Sequence, residues 1–273
     1  MKYKIQSGLL VALLLFCSLV NAKDKRSELP HPYNNLRVVP SQNSFPFFGE
    51  KLEYEISWSF LNVGKAYMAV DKAYLINATT VYHVISKARS TSVIDYFFHV
   101  DDTNESWISG DFSNSFGYLK KLREGNYLHD EWVIFNYQTM EFYGKKMDRK
   151  GNVHNVQGKL LERVHDVLSS LYYVRILDFN SSSEFIIPVN SRKNWQMKVK
   201  VHSRKKVKTK FGKRKCWKIE PMVGEEGIFV PKKGKSMYVW ISDDEERLPM
   251  KLEAEIFIGS IKAELIKAER IRH

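Results

Sequence analysis

Trp195-Gln196-Met197-Lys198-Val199-Lys200-Val201-His202 sets the period of the last third of the chain: Met197, Val199 and Val201 alternate with Lys198, Lys200 and His202. The same period two returns in Lys206-Val207-Lys208-Thr209-Lys210-Phe211. It returns again where Met250, Leu252, Ala254, Ile256 and Ile258 alternate with Lys251, Glu253 and Glu255. Successive side chains of a strand point to opposite faces, so each run has one apolar and one charged face. Gly259-Ser260 then leads into Ile261, Ala263 and Leu265, and such a Gly-containing link between alternating runs signals a tight hairpin. These runs predict an antiparallel sheet with one buried face and one wet face.

The first half of the chain repeats the pattern. Leu52, Tyr54, Ile56, Trp58 and Phe60 alternate with Glu53, Glu55, Ser57 and Ser59; Asn62-Val63-Gly64 turns, and Ala66, Met68 and Val70 return. Residues 81–86, 100–109 and 116–123 read as further strands, and 132–137 with 140–145 as a hairpin. Residues 92–99 read as a short helix started by Thr91 or Ser92, or as a bulged strand. One longer helix stands out: Asp166 can cap it, and Val167, Leu168, Leu171, Tyr172, Val174 and Arg175 fall at helical spacing. The expected fold is mainly β, a curved antiparallel sheet or half-barrel of about 10–13 strands with one main helix packed on it. That helix, over 166–177, is expected on the concave side with Leu168, Leu171, Tyr172 and Leu177 buried.

Residues 1–22 read as a secretory signal peptide: Lys2 and Lys4, an uncharged apolar run over 8–20, and Val20-Asn21-Ala22 as cleavage site. The run is short for a membrane span and no later run matches it, so no transmembrane span is expected in the mature chain. Cleavage at Ala22 places the protein in the periplasm or on the extracellular face of the envelope. A lipid anchor on Cys17 is the competing reading, and the bulky Phe16 before it argues against that processing. Cys216 is then the one remaining cysteine and forms no internal disulfide. Residues 23–44 form a polar arm with Pro30, Pro32 and Pro40, and 45–273 a single β-rich domain, expected to be a monomer.

The net charge of +12 falls to +10 without Lys2 and Lys4, and eight positive charges lie between Arg204 and Lys215. Export excludes nucleic acid, leaving an anionic membrane or polysaccharide surface as basic-patch partner. Arg204, Lys206, Lys208, Lys210, Lys213 and Arg214 are its expected contacts, with Val207, Thr209 and Phe211 on the opposite face. Trp58, Phe60, Tyr96, Phe97, Phe98, Trp107, Trp132, Trp195 and Trp240 are the aromatics that could line a concave ligand surface, for a lipid or lipoprotein.

No Gly-x-Ser-x-Gly, His-Glu-x-x-His or phosphate-loop motif occurs. His129-Asp130-Glu131 reads as a solvated turn, 242–246 as a hairpin-closing acidic turn, and His165-Asp166 as a helix start. Asp101 and Asp102 point to opposite sides of a strand and make a poor acid–base pair. No catalytic residue, metal site or cofactor is expected.

Phe48-Gly49-Glu50-Lys51-Leu52-Glu53-Tyr54-Glu55-Ile56-Ser57-Trp58, with Val63-Gly64-Lys65-Ala66, resembles the opening of the DUF3108 family. Asp166-Val167-Leu168-Ser169-Ser170-Leu171-Tyr172-Tyr173 resembles its helix, and Lys208-Thr209-Lys210-Phe211-Gly212 with Cys216-Trp217-Lys218-Ile219-Glu220-Pro221 its basic hairpin. Trp240-Ile241-Ser242-Asp243-Asp244 and Gly259-Ser260-Ile261-Lys262-Ala263-Glu264-Leu265 resemble its ending. The resemblance implies an exported bacterial envelope protein and no known activity. More loosely, the plan is similar to the half-barrels of the lipoprotein carriers LolA and LolB. Three functions follow as expectations: a carrier of an apolar or acyl-chain ligand, an envelope assembly or interaction protein using the basic hairpin, and an enzyme without a recognisable motif.

Overall fold

The alternating runs become strands of one antiparallel sheet in the computed structural model, which describes residues 29–41, 45–222, 236–255 and 259–270. The expected signal segment, Ile256 and Ile258 lie outside the described residues. In chain order the strands are β1 (Val38–Val39), β2 (Glu50–Trp58), β3 (Leu61–Ile76), β4 (Thr79–Ser90), β5 (Asp101–Ser109) and β6 (Ser115–Glu124). There follow β7 (Tyr127–Asn136), β8 (Glu141–Met147), β9 (Val153–Lys159), β10 (Glu184–Asn190) and β11 (Asn194–Thr209). The last are β12 (Gly212–Met222), β13 (Met237–Ser242), β14 (Pro249–Glu255) and β15 (Ser260–Arg270). Among the described residues two helices interrupt them, α1 (Ser92–Asp95), capped by Thr91, and α2 (Val167–Ile176). The fold class is the expected one; the strand count of 15 includes the two-residue β1.

The sheet is open, running β10-β11-β12-β13-β14-β15-β2-β3-β4-β5-β6-β7-β8-β9. Its ends β9 and β10 do not pair. The chain between β9 and α2 fastens them instead. His165 N donates to Pro188 O (2.9 Å) and Asn190 N to His165 O (2.8 Å), while Ser115 N donates to Val164 O (2.9 Å) and Leu160 N to Met140 O (2.8 Å). Residues 160–166 thus hold the edge of β10 on one side and the β5–β8 loops on the other.

Helix α2 sits on the concave side and is enclosed on several sides, as a helix apolar nearly all round must be. Val174 belongs to the apolar cluster of β10–β13 with Ile187, Val199, Ile219 and Ile241. Tyr172 belongs to a second with Phe45, Phe47, Val70, Tyr82 and Ile108. Leu168 and Leu171 pack against a third built on Leu52, Tyr54 and Leu265. Of the four expected buried residues, Tyr172 is fully buried and Leu168, Leu171 and Leu177 are half-buried. Asp166 caps the helix through Leu168 N and Ser169 N, and Ser169 Oγ accepts from Asp166 N in a reciprocal capping box.

One ion pair joins the helix to the sheet inside this core. The Arg175 guanidinium meets the Glu50 carboxylate bidentately at 2.6 and 2.7 Å, with side-chain exposures of 0% and 1%. Its Nε donates to Arg247 O (2.9 Å), and the guanidinium lies 3.9 Å from the Phe47 ring centre.

The arm is not a free tether over residues 29–41. Tyr33 lies on Trp107 (centroids 4.6 Å), its hydroxyl donates to Phe116 O (2.8 Å), and β1 pairs with the far end of β3. This seals a small core on the convex face, where Val81, Trp107 and Phe116 are buried.

Arg175→Met leaves the buried Glu50 carboxylate with only Arg270, at 3.4 Å, and should cost roughly 3–5 kcal/mol of stability. Urea unfolding measures this, and a loss under about 1 kcal/mol would contradict it; adding Glu50→Gln should recover part of the loss.

Candidate functional site on the concave face

Residues directly opposite across paired strands share a face, so the register traces rows of inward positions. One row runs Leu52, Met68, Ser86, Asn104, Lys120, Glu131, Lys146 and His154 from β2 to β9. The row toward α2 runs Val70, Val84, Ser106, Tyr118, Val133, Gly144 and Val156. On the other side lie Leu265, Tyr54, Ala66, Ala88 and Asp102. Helix α2 covers the second row, where Val70, Val84 and Ser106 are buried. Ala66, Ser86, Ala88, Asn104 and Lys120 are half-buried, so this part of the concave face is reachable from solvent.

The central row changes from apolar on β2 and β3 to charged on β6 and β7. Glu131 is the focus: Oε1 accepts from the Tyr118 hydroxyl (2.6 Å), and Oε2 lies 3.0 Å from His129 Nε2 and 2.9 Å from Arg192 Nε. Burial alone would raise its carboxyl, but His129, Lys120 and Arg192 outweigh burial and hold it at about 2. Arg192 adopts φ 72° in the β10–β11 turn, a left-handed conformation that costs a non-glycine residue energy. Beside this group, Ser106 Oγ donates to Asp166 Oδ2 (2.5 Å), joining the helix cap to the polar end of the row. Burial lowers the Lys120 ammonium's proton affinity against the pull of Glu131.

His129-Asp130-Glu131, expected as a solvated turn, lies inside β7 and is buried. The turn comes three residues earlier, at Gly125-Asn126, where Gly125 takes φ 54°. The Gly-Asn link between two alternating runs is the local turn signal here. The 242–246 segment does form the β13–β14 connection, with Asp243 held by Trp217 Nε1 (2.8 Å) and Arg204 (3.3 Å). Asp101 and Asp102 do face apart: Asp101 pairs with Arg89, whereas buried Asp102 accepts from Arg123 N. Among the described residues no group of three His, Cys, Asp or Glu could hold a metal ion.

The nine expected aromatics do not converge. Trp107 is buried in the convex-face core, Trp132 sits on the same convex side opposite Leu119, and Trp240 faces outward between Lys218 and Lys251. Trp58 is half-buried at the end of β2, and Trp195 lines a cavity of about 120 Å³ at the β9–β10 seam. Phe98 packs under Gly125. Phe60, Tyr96 and Phe97 are exposed at one end of the sheet. A strand places an aromatic on a face by parity, and parity alone does not say which face of this sheet is concave.

Arg204, Lys206, Lys208, Lys210, Lys213 and Arg214 are all exposed on the β11–β12 hairpin. Val207 packs in the cluster with Cys216 and Trp240, but Phe211, in the turn, is exposed. Lys210 Nζ reaches Glu55 on β2 at 3.5 Å, so the hairpin tip lies back toward the middle of the sheet.

The family model described as "Protein of unknown function (DUF3108)" matches residues 53–266. No curated protein matches the chain. Among solved structures, a β-barrel-like protein of the DUF1849 domain from Brucella abortus aligns at TM-score 0.51 and 9% identity, over 82% of this chain and 98% of that one. A candidate lipoprotein from Parabacteroides distasonis aligns at TM-score 0.30 and 9% identity, over 83% and 98%. The first likeness shows a shared barrel-like fold.

A carboxyl near 4.3 in the unfolded chain and about 2 here binds fewer protons in the native state between those values. Glu131 therefore adds stability above about pH 4.3 that is lost as pH falls toward 2. Glu131→Gln should flatten the fall in urea midpoint across that window relative to the unmodified protein; parallel curves would contradict the assignment.

Proposed function

The chain belongs to the DUF3108 family, and from that premise we propose that it is a non-enzymatic cell-envelope protein that works seated on an anionic bilayer. The supporting observation is an apolar tip. Phe60, in the β2–β3 turn, is 98% exposed, and Val93, Tyr96 and Phe97 around α1 are 69–72% exposed. The two loops are neighbours, because Thr91 N donates to Val63 O (3.0 Å) and Gly64 pairs with Ser90. Large apolar side chains held together on protruding loops mark a surface for a membrane or partner.

Basic residues flank this tip. Lys65 and Arg89 oppose each other on the convex face, one step from Gly64 and Ser90. Glu55 pairs in register with Lys65 and receives Lys210 from the basic hairpin. Arg89 is paired with Asp101 and Lys65 stands opposite Glu55, so the collar itself is balanced, and it is the exposed lysines and arginines of the hairpin that favour an anionic bilayer over a neutral one. Each Lys or Arg near such a surface contributes on the order of 1 kcal/mol, and burying a Phe side chain about 1.5–3 kcal/mol.

Carriage of an apolar ligand is the second reading. Helix α2 fills the half of the concave face where a chain would be enclosed. The seam cavity of about 120 Å³ and a polar one of about 200 Å³ beside α1 are small against the roughly 300 Å³ at which ligand pockets begin. What favours this reading is the open half of the concave face, with Lys120 at its polar end.

Phe60→Ser, Tyr96→Ser and Phe97→Ser combined should leave the melting transition unchanged and reduce flotation with anionic vesicles roughly tenfold. Lys206→Glu, Lys208→Glu and Lys210→Glu combined should reduce it further and weaken its salt dependence. Flotation indifferent to both sets would refute docking by this surface.

A further inference from the structure

Among the described residues Lys120 is an ammonium group without an acceptor. It faces the concave side between Asn104 and Glu131, and burial lowers its proton affinity. Among the described residues its Nζ makes no hydrogen bond or ion pair; its one recorded contact is a 6.0 Å approach to the Tyr118 ring centre. The acids that act on it have other donors. Glu131 is held by Tyr118, His129 and Arg192, and Asp166 accepts from Leu168 N, Ser169 N and Ser106 Oγ. A partly desolvated charge with unused donors is costly unless something supplies an anion.

The surroundings specify the rest of the ligand. Along the same row, the side chains of Asn104 and Ser86 also hydrogen-bond to no described residue, so further donors line up beside the ammonium. The row then becomes apolar at Met68 and Leu52, which Leu168 and Leu171 of α2 already cover. Alanines 66 and 88 in the adjoining row are small and half-buried, and they form the apolar part of this face that α2 leaves reachable. From β6 to β3 is three strand spacings, about 14 Å.

We infer that Lys120 anchors the anionic head of a single-chain amphiphile whose tail lies along Ser86, Ala88 and Ala66, on the part of the concave face that α2 leaves reachable. The head is a carboxylate or phosphate monoester, the oxyanions whose oxygens match a lysine and neighbouring amide and hydroxyl donors. Arg192 is a positioning residue: by fixing Glu131 it keeps that carboxylate from taking Lys120. The inference stands independently of bilayer docking, since it rests on the concave face and not on the tip.

Titration calorimetry with dodecanoate, dodecyl phosphate, dodecanol and inorganic phosphate, each below its aggregation concentration, tests it. Using the Phe60→Ser, Tyr96→Ser, Phe97→Ser protein as well separates this binding from docking. Dodecanoate or dodecyl phosphate should bind at least tenfold more tightly than dodecanol, inorganic phosphate should not bind measurably, and the tip variant should behave alike. The tighter of the two anionic heads identifies the source class. Lys120→Met should abolish the preference for the charged head, and Lys120→Arg should retain it. In the unmodified protein, the Lys120 ammonium resonance should titrate at higher pH with ligand than without. Equal affinity for dodecanol and the anions, no binding of any chain, or an unchanged preference in Lys120→Met would each overturn it.

Discussion

The Arg175–Glu50 pair is the contact on which the arrangement of helix and sheet depends. Arg175 comes from the last turn of α2 and Glu50 from the first residue of β2, and the pair is shut off from solvent. The same guanidinium holds Arg247 O and Glu246 O in the β13–β14 connection, while Arg270 at the end of β15 approaches Glu50 at 3.4 Å. A buried pair of this kind adds little net stability over an apolar substitute, because desolvation opposes the attraction. Its geometric demand is strict, since each bidentate hydrogen bond needs its partner in one place. Sliding or rotating α2 would strand a carboxylate and a guanidinium together. The pair therefore fixes where α2 lies, and with it which part of the concave face is covered.

That placement divides the concave face by chemistry. Where α2 lies, Val70, Val84, Tyr82 and Ile108 form a dry core with Tyr172. Beyond its first turn, the inward row becomes Ser86, Asn104, Lys120 and Glu131. The helix cap is the boundary, because Asp166 serves the helix through its first backbone amides and the sheet through Ser106. The left-handed Arg192 marks the far side of the polar group. Local backbone strain there is sustained by the strands that fix the turn and by the hydrogen bond from Arg192 N to Asn190 Oδ1.

Period-two alternation made the sheet legible, since it depends only on strand geometry: the runs at 197–201, 250–254 and 52–58 all became strands. The capped helix was legible for the same local reason, with Asp166 before an apolar run. The arm was not: Tyr33 and Leu36 look isolated among polar residues, and only the fold brings Trp107 to them. Nor was the polar site. Lys120 lies in Leu119-Lys120-Lys121, where a lysine on a strand reads as solvent-facing, and nothing local shows that its neighbours across the sheet are Asn104 and Glu131. Arg175 was placed on the helix by spacing, but Glu50 is 125 residues away and its partnership is a product of topology. Aromatic content suggested a lined cavity; the residues were instead spread over both faces and one end.

The position of β15 between β14 and β2 has a kinetic consequence. Strands β2 to β9 can zip together hairpin by hairpin, and so can β10 to β15, because each such contact is local. The β2–β15 ladder joins the halves, pairing Trp58 with Ile261 and Glu50 with Arg270. Until it forms, the N-terminal half carries a bare β2 edge and the C-terminal half a bare β15 edge. Closing that ladder is a late, entropically slow step, as long-range strand pairing generally is. During this interval the exposed edges are the places where another extended chain could pair. A chaperone that shields β2 until residues 260–270 arrive would speed recovery of the native protein without touching the finished fold.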